Sequence, residues 1–526
     1  MAEELYIERN DAIINSKINR SFDELLLMSD SKFADWVRAM RDEVGEIWAS
    51  KNVPPSLGFT VDSMLQQFRL ISRHDTSNFL KVDELTYARD CIVPDSNAGS
   101  ACRAFFPNMG KTKDITSTSG KGYSQWDYFT SPELFDSFLG VQKRHLKRDS
   151  YYTFSPIVLR EDPAFAIAEK SGRKWIERFP DRRSEFRNFD FWLMAKTDNK
   201  RYKGRPQLTV SKRELLALRD KGLVKARHLV HADFEEKNPK RTVPFDKAAL
   251  NQRYKIRLYE KDQKVFPAGF RFFQSGLVIS GTNFPPLVAK HLYQRFTDDI
   301  KDQSKITIYD PSAGFGGRLL GALAAGADRQ LHYIGTDPNS DNWVRKGMSQ
   351  YEALARFYNR NIRQKHHTTY DLYKLGSEVI GNNGRFQEYR GKLDLVFTSP
   401  PYFAAEGYSD EQTQSYMKFP TYDEWRDGFL RSTLETAVEW LKPGRPLLWN
   451  IADTKIGGKY VPLEYDSKAI LKSFGMAYEG KLKMVLARSP GGNRMRDGRY
   501  PETKNFCMVG GEYRKFEPVF VFRKLT

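Results

Sequence analysis

The feature that most constrains this chain is a short β-branched and aromatic run, ITIYD (306–310), that passes without a break into DPSAGFGGRLLGALAAG. A strand that must turn at once into a helix needs residues free of a Cβ. Gly314, Gly316 and Gly317 supply them, allowing both the turn and close approach of a ligand, and the helix starts within RLLGALAAG. A second strand, LHYIGTD, ends at Asp337, 21 residues beyond Gly316. An acid at that remove is where doubly wound folds bind a cofactor ribose. LDLVF (393–397) reads as a buried strand. PLLWNIAD (446–453), KLKMVLARS (481–489) and EPVFVFRK (517–524) read as later strands, the last two as an antiparallel pair. From about Lys305 onward the pattern therefore predicts an α/β fold with a mainly parallel sheet. It is not the dinucleotide pattern GxGxxG, whose third glycine would fall at Leu319. Nor is Gly110-Lys111-Thr112 a phosphate loop, because Phe105 stands where that loop needs glycine.

Charge divides the chain. The net charge is +18 over 526 residues, and residues 141–260 hold 30 Lys+Arg against 16 Asp+Glu, so most of the excess lies there. The densest stretch, Lys196 to Arg227, has eleven basic and three acidic residues, with Trp175, Phe179, Phe186, Phe189, Phe191, Trp192 and Tyr202 in or near it. Basic side chains neutralise phosphates and aromatic faces stack on bases, so this segment suits a nucleic-acid surface, ahead of the alternative of a solvated face over an aromatic core. Ser211 and Glu214 form a capping box for a short basic helix that Gly222 would end. Upstream, FADWVRAMRDEVGEIW and VDSMLQQFRLISRH carry helical periodicity, and Pro94–Ser124 reads as a long loop. No apolar run of about 18 residues is present, and the first residues are acidic and polar. The expectation is neither a membrane span nor a secretory signal, hence a cytoplasmic protein. Cys91, Cys102 and Cys507 make no disulfide framework and no CxxC pair, and His366-His367 and His228/His231 lack adjoining ligands, so no metal is expected.

The residues after LDLVF carry the most chemistry: Thr398-Ser399-Pro400-Pro401-Tyr402-Phe403. Two prolines at a strand's carboxyl end fix the backbone, remove two donors and leave carbonyl acceptors at the crevice where ligands of open α/β sheets bind. With the glycine turn 85 residues earlier, this resembles the S-adenosylmethionine-dependent DNA amino-methyltransferases of N4-cytosine and N6-adenine type, the kind found in restriction–modification. The resemblance covers roughly residues 265–526 and implies a class I (Rossmann-like) seven-stranded methyltransferase sheet in the C-terminal half, beside a mainly helical, basic N-terminal region. It divides the chain into a helical accessory region (1–140), a basic, DNA-binding and target-recognition region (141–262) and the methyltransferase domain (263–526).

What the resemblance implies for the site is specific. Asp310, Pro311, Ala313, Gly314 and Gly316 would cradle the methionine part of S-adenosylmethionine, Asp337 the ribose, and Phe284, in SGTNFPP, another wall of the cofactor pocket. Ser377 or Glu378, opening a third helix, would approach the adenine, with Asp371 as the alternative. The Ser399 side chain and Pro400 carbonyl would orient the amine, Pro401 would hold the turn, and Tyr402 would stack on a base flipped from double-stranded DNA. Glu406, Tyr408 and Gln414 are candidates to line the base pocket. Direct transfer needs no covalent intermediate and no metal. Carbon-5 methylation would need a cysteine nucleophile, commonly after a proline, and no cysteine here follows one. Serine at the head of SPPY favours N4 of cytosine over N6 of adenine. An RNA base methyltransferase and an inactive methyltransferase-fold DNA-binding protein are the alternatives. A bacterial or phage-encoded, or nucleoid-associated, enzyme is the expected setting.

Overall fold

The computed structural model describes residues 16–20, 24, 28–51, 61–94, 100–114, 122–136, 283–300, 304–343, 347–456, 459–486 and 505–525. The basic region at 141–262, the helix expected at Ser211–Gly222, and Ser280 to Thr282 lie outside these residues.

The strands are β1 (Leu80–Lys81), β2 (Cys91–Ile92), β3 (Lys113–Asp114), β4 (Ile306–Asp310), β5 (Leu331–Thr336), β6 (Thr369–Tyr373) and β7 (Leu395–Thr398), followed by β8 (Glu406–Gly407), β9 (Pro446–Asn450), β10 (Thr454–Ile456), β11 (Lys459–Val461), β12 (Met476–Val485), β13 (Phe506–Val509) and β14 (Glu512–Lys524). The main sheet runs β1-β2-β12-β14-β9-β7-β4-β5-β6, with β13 on β14. Strands β6, β5, β4, β7 and β9 are mutually parallel. β14 is antiparallel to both β9 and β12. These seven strands, from β6 to β12, form the class I seven-stranded sheet that the resemblance implies, and the expected antiparallel pair is β12–β14. The sheet does not stop there. β2 adds in parallel to β12, carrying β1 with it, so N-terminal residues extend the main sheet.

The helices used below are α1 (Asp30–Lys51), α2 (Val61–Arg73), α3 (Pro286–Arg295), α4 (Gly317–Ala325), α5 (Gln350–Asn361), α6 (Ser432–Trp440) and α7 (Leu463–Ser473). Every residue of α4 is buried, as expected of a helix rich in Leu and Ala that packs between the sheet and α3. α2 docks on this layer. Phe68 stacks on Tyr358 with ring centroids 4.3 Å apart. The buried Lys290 ammonium of α3 donates to the carbonyls of Ile71 (3.2 Å), Ser72 (2.8 Å) and His74 (2.9 Å), satisfying the orphan C-terminal carbonyls of α2. Among the described residues no helix is long and apolar enough to cross a membrane.

Two sequence expectations change. The stretch 100–114, read as part of a loop, forms a helical turn (Ser100–Arg103), a 3-10 turn (Pro107–Lys111) and β3, packed on the α/β unit. Its fixed contacts are long-range, so nothing local announces them. Gly376-Ser377-Glu378 opens no long helix. A 3-10 turn (Ile380–Asn382) and a four-residue helix (Gly384–Gln387) follow, where Asn382-Asn383-Gly384 favours turns over helix.

Candidate active site

The glycine turn lies where β4 and β5 end. Gly314 and Gly316 have φ of 56° and 73°, in the left-handed region that costs a side-chain-bearing residue about 1–2 kcal/mol. The turn is clamped to the end of β5: Ala313 N–H donates to Thr336 O (2.9 Å), Thr336 Oγ1 to Pro311 O (2.6 Å), and Gly314 N–H to Asp337 Oδ2 (3.1 Å). A Cβ built on Gly314 would meet Ser312 O at 3.7 Å and Arg318 Nη2 at 3.9 Å, ordinary contact distances, so the left-handed backbone rather than crowding calls for glycine here. On Gly316 it would meet the Phe106 ring at 2.5 Å. Phe106 thus backs the turn from the N-terminal strip.

Asp337 is buried, and burial pushes its carboxyl up to about 6 against the opposing pull of donors from Asn339 N–H (2.9 Å), Asn342 Nδ2 (3.1 Å) and Gly314. Asn342 is held in turn by Asn108 of the strip, whose Nδ2 donates to Asn342 Oδ1 (2.8 Å), while Lys111 pairs with Asp341 (3.2 Å). Phe284 packs edge-to-face on Phe397 of β7, with centroids 5.2 Å apart. Its neighbour Asn283 accepts from Gly317 N–H (3.1 Å) and donates to Phe315 O (2.7 Å), pinning this segment to the start of α4.

Asp310 occupies a different position from its neighbours in the motif. It is 1% exposed, and both its oxygens are taken by protein donors. Oδ1 accepts from Thr398 Oγ1 (2.7 Å) and Ser312 N–H (3.3 Å), and Oδ2 from Arg318 Nε (2.8 Å) and Tyr333 Oη (2.6 Å). A carboxylate offers about four lone-pair sites, and all are filled. Arg318 also donates to the Ser312 carbonyl. The network welds the last residue of β7 to the glycine turn.

Beyond Thr398 the loop Ser399–Tyr402 emerges at the carboxyl end of β7, level with the end of β9, since Thr398 pairs with Trp449. Ser399, Pro401 and Tyr402 are partly exposed and Pro400 is buried. Burial, followed by the Glu517 carboxylate, holds the Tyr402 phenol well above its usual range, against a downward pull from the Ser399 hydroxyl. Phe403 is left-handed at φ 52°, a strained backbone for a bulky residue, and its ring is wedged against Tyr422 (5.6 Å) and Trp425 (5.7 Å). Glu406 accepts from Tyr408 Oη (2.5 Å), and Tyr408 packs edge-on to Phe315 of the glycine turn (6.0 Å). Gln414 is buried at the start of the Ser415–Lys418 turn. β8, which contains Glu406, pairs with β3 of the N-terminal strip.

Other expected residues sit farther out. Glu378 pairs with Lys418 (2.9 Å) and Ser377 bonds to Thr433 (2.9 Å) on α6. Asp371 lies mid-strand in β6 opposite Ile334, bonded to Tyr389, away from the carboxyl rim. Thr398 stood in the motif with no role of its own, and the sequence reading missed Arg318, Glu517 and the strip residues Phe106, Asn108 and Lys111. Of these only Arg318, charged in an otherwise apolar helix, carried a local signal. At the far edge of the sheet Asp83, Asp90 and Cys91 cluster within 4.8 Å, but the Lys483 ammonium lies against Asp83 (2.6 Å) and Asp90 (2.9 Å) and neutralises them.

No protein-family profile matches the chain. No curated protein matches it either. Among solved structures it is similar to a candidate class I S-adenosylmethionine-dependent methyltransferase from Listeria monocytogenes (12% identity, 71% of this chain, 89% of that one, TM-score 0.29). A second is an S-adenosylmethionine-dependent methyltransferase from Methanosarcina mazei (12% identity, 44% and 97%, TM-score 0.26). A third, solved with S-adenosyl-L-methionine, is a candidate DNA modification methylase from Thermus thermophilus (18% identity, 26% and 47%, TM-score 0.17), so the match spans less than half of that protein. Likenesses this weak carry nothing about chemistry, which rests on the geometry above.

Proposed function

We propose that this chain is a site-specific DNA methyltransferase that uses S-adenosylmethionine to methylate an exocyclic base amine, N4 of cytosine ahead of N6 of adenine. One observation carries the reading: the Ser399–Tyr402 loop and the glycine turn are bonded to each other through Thr398 and Asp310 at the carboxyl edge of the sheet. Two loops so joined have a fixed separation, as a transfer between two bound partners requires.

The residues fit the cofactor. The turn offers side-chain-free backbone at Gly314 and Gly316 for close approach of a ligand, and Asp337 presents an ionisable acceptor bonded to Gly314 N–H. Gly314, Gly316, Ala313 and Pro311 would form the cradle, Asp337 would take the ribose hydroxyls, and Phe284 would support the pocket from below. Glu378 is the candidate for the adenine side. When bound, S-adenosylmethionine supplies an electrophilic methyl group on a sulfonium. The chain's own part is orientation. Ser399 Oγ and the Pro400 carbonyl accept the hydrogens of the amine, so its lone pair turns toward the cofactor side. Pro400 and Pro401 hold that carbonyl still, and the Tyr402 ring covers the base and excludes water. Asp310, with its acceptor sites filled, acts as a positioning residue rather than a cofactor ligand. The basic segment at 141–262 is the proposed DNA-gripping and target-reading region, on its charge alone.

The test is transfer of labelled methyl from S-adenosylmethionine to unmethylated bacterial DNA and, in parallel, to RNA, with the modified base identified by mass spectrometry. N4-methylcytosine or N6-methyladenine in DNA, lost in Ser399→Ala and Tyr402→Ala while cofactor binding by calorimetry persists, is the expected result. Label in RNA alone, or no cofactor binding, refutes the proposal.

A further inference from the structure

Ser399 Oγ and the Pro400 carbonyl account for recognition of an amine and nothing more. Guanine also carries an exocyclic amine, and acceptors alone would take it. Cytosine and adenine differ from guanine at the adjoining ring nitrogen, which is an acceptor in the first two and an N–H donor in guanine. A site confined to the first two needs a donor facing that position.

Glu517 is the candidate for that donor. β14 runs antiparallel to β9, with Val519 opposite Asn450. Thr398 lies opposite Trp449, so Ser399 falls level with Asn450 and Val519. Glu517, two residues earlier on β14, therefore projects past the carboxyl ends of β7 and β9, on the rim that the catalytic loop crosses. Asn450 Nδ2 donates to Pro518 O (3.0 Å) and fixes the backbone beside it. Among charged groups Glu517 acts most strongly on the Tyr402 phenol. Its side chain is partly exposed, and among the described residues it has no hydrogen bond and no ion pair. The surrounding acids are otherwise committed: Glu406 to Tyr408, and Glu464 to Asp453 N–H (3.2 Å) and Asn505 (3.3 Å).

Resting on the function proposed above, we propose that Glu517 is a specificity-determining residue that donates a hydrogen bond to the ring nitrogen beside the target amine, N3 of cytosine or N1 of adenine. Burial raises the carboxyl above its usual range, Glu406 on the catalytic-loop side raises it further, and Lys515 on its own strand lowers it. From β12, the facing residue is the uncharged Met484, and Tyr402 is the remaining titratable neighbour. As an acid, Glu517 matches the donor–acceptor edge shared by cytosine and adenine. As a carboxylate it would match guanine's two adjacent donors instead. No proton is transferred, only shared.

The experiment measures single-turnover methyl transfer to unmethylated bacterial DNA across pH, using the full chain, for wild type, Glu517→Gln and Glu517→Ala, with cofactor binding by calorimetry as the control for folding. Wild-type rate should fall as pH rises through the raised carboxyl pKa. Glu517→Gln, whose amide donates at any pH, should stay within a few-fold of wild type at low pH and lose that decline. Glu517→Ala should drop roughly 10- to 100-fold while still binding cofactor. Wild-type transfer with an unaltered Glu517→Ala rate, or Glu517→Gln as impaired as Glu517→Ala, overturns this inference alone. No transfer by wild type overturns it together with the function it rests on.

Discussion

The Thr398 hydroxyl donates a 2.7 Å hydrogen bond to Asp310 Oδ1 and accepts one of 3.1 Å from Ser312 N–H, so the residue before Ser399 is tied to both ends of the glycine turn's entry. Thr398→Val keeps the shape and removes both bonds, leaving Ser312 N–H and Asp310 Oδ1 with only their longer 3.3 Å bond to each other. A loss of about 1–3 kcal/mol in unfolding free energy is expected. If the bond also sets the distance between the two loops, kcat should fall roughly tenfold with the cofactor Kd nearly unchanged, and Thr398→Ser should restore both. Wild-type turnover in Thr398→Val, measured beside its denaturant curve, would show that the loops are aligned by something else.

The same carboxylate faces a buried guanidinium. Arg318 and Asp310 are 5% and 1% exposed at their side chains and 2.8 Å apart. Removing one partner leaves the other charge unpaired in the core, which costs about 3–5 kcal/mol. Asp310→Ala and Arg318→Met should each be strongly destabilised, and the double substitution markedly less so than the sum of the two. A thermal-melt double-mutant cycle reads this directly. Additive losses would mean that the pair is not coupled.

How much of this was legible in the chain depends on how local the cause is. ITIYD became β4 with the boundaries read from it, and LHYIGTD became β5, because β-branched residues followed by glycine punctuate the chain without outside help. SPPY likewise announced a rigid turn at a strand's end. Glu517 did not stand out, because its meaning comes from Tyr402 and Glu406, more than a hundred residues earlier, and only the antiparallel insertion of β14 brings them together. Asp310 was read as a cofactor residue from its place in the motif. Its filled acceptor sites depend on Tyr333 and Thr398, from two other strands. The strip at 100–114 was lost for the same reason. Glycine, serine and asparagine read as loop, and its partners Asn342, Asp341 and Glu406 lie far along the chain.

That strip makes its own prediction. Phe106 is buried, with its ring 5.1 Å from Tyr351 and pressed on Gly316. Phe106→Ala should cost about 3–5 kcal/mol of stability, as for other buried aromatics, and weaken cofactor binding by taking the support from behind the turn. Phe106→Leu should recover most of both. Calorimetry of the two variants decides it: unchanged cofactor affinity in Phe106→Ala would confine the strip to a structural role.

Asp337 gives opposite pH trends in two measurements. Its carboxyl is raised from the ordinary 3.8 to about 6 in the folded chain, so between those values the folded protein holds a proton that the unfolded chain releases. Stability should therefore fall as pH climbs through that window, by about 2–3 kcal/mol at most. Cofactor binding should do the reverse, because the ionised carboxylate is the better acceptor for ribose hydroxyls. Its affinity should rise as pH passes about 6. Asp337→Asn removes the titrating proton, so both slopes should flatten, with weaker cofactor binding at neutral pH. Calorimetry and chemical denaturation between pH 5 and pH 8 separate the two trends, and an Asp337→Asn protein that keeps the wild-type pH dependence of cofactor affinity would assign that titration to another group.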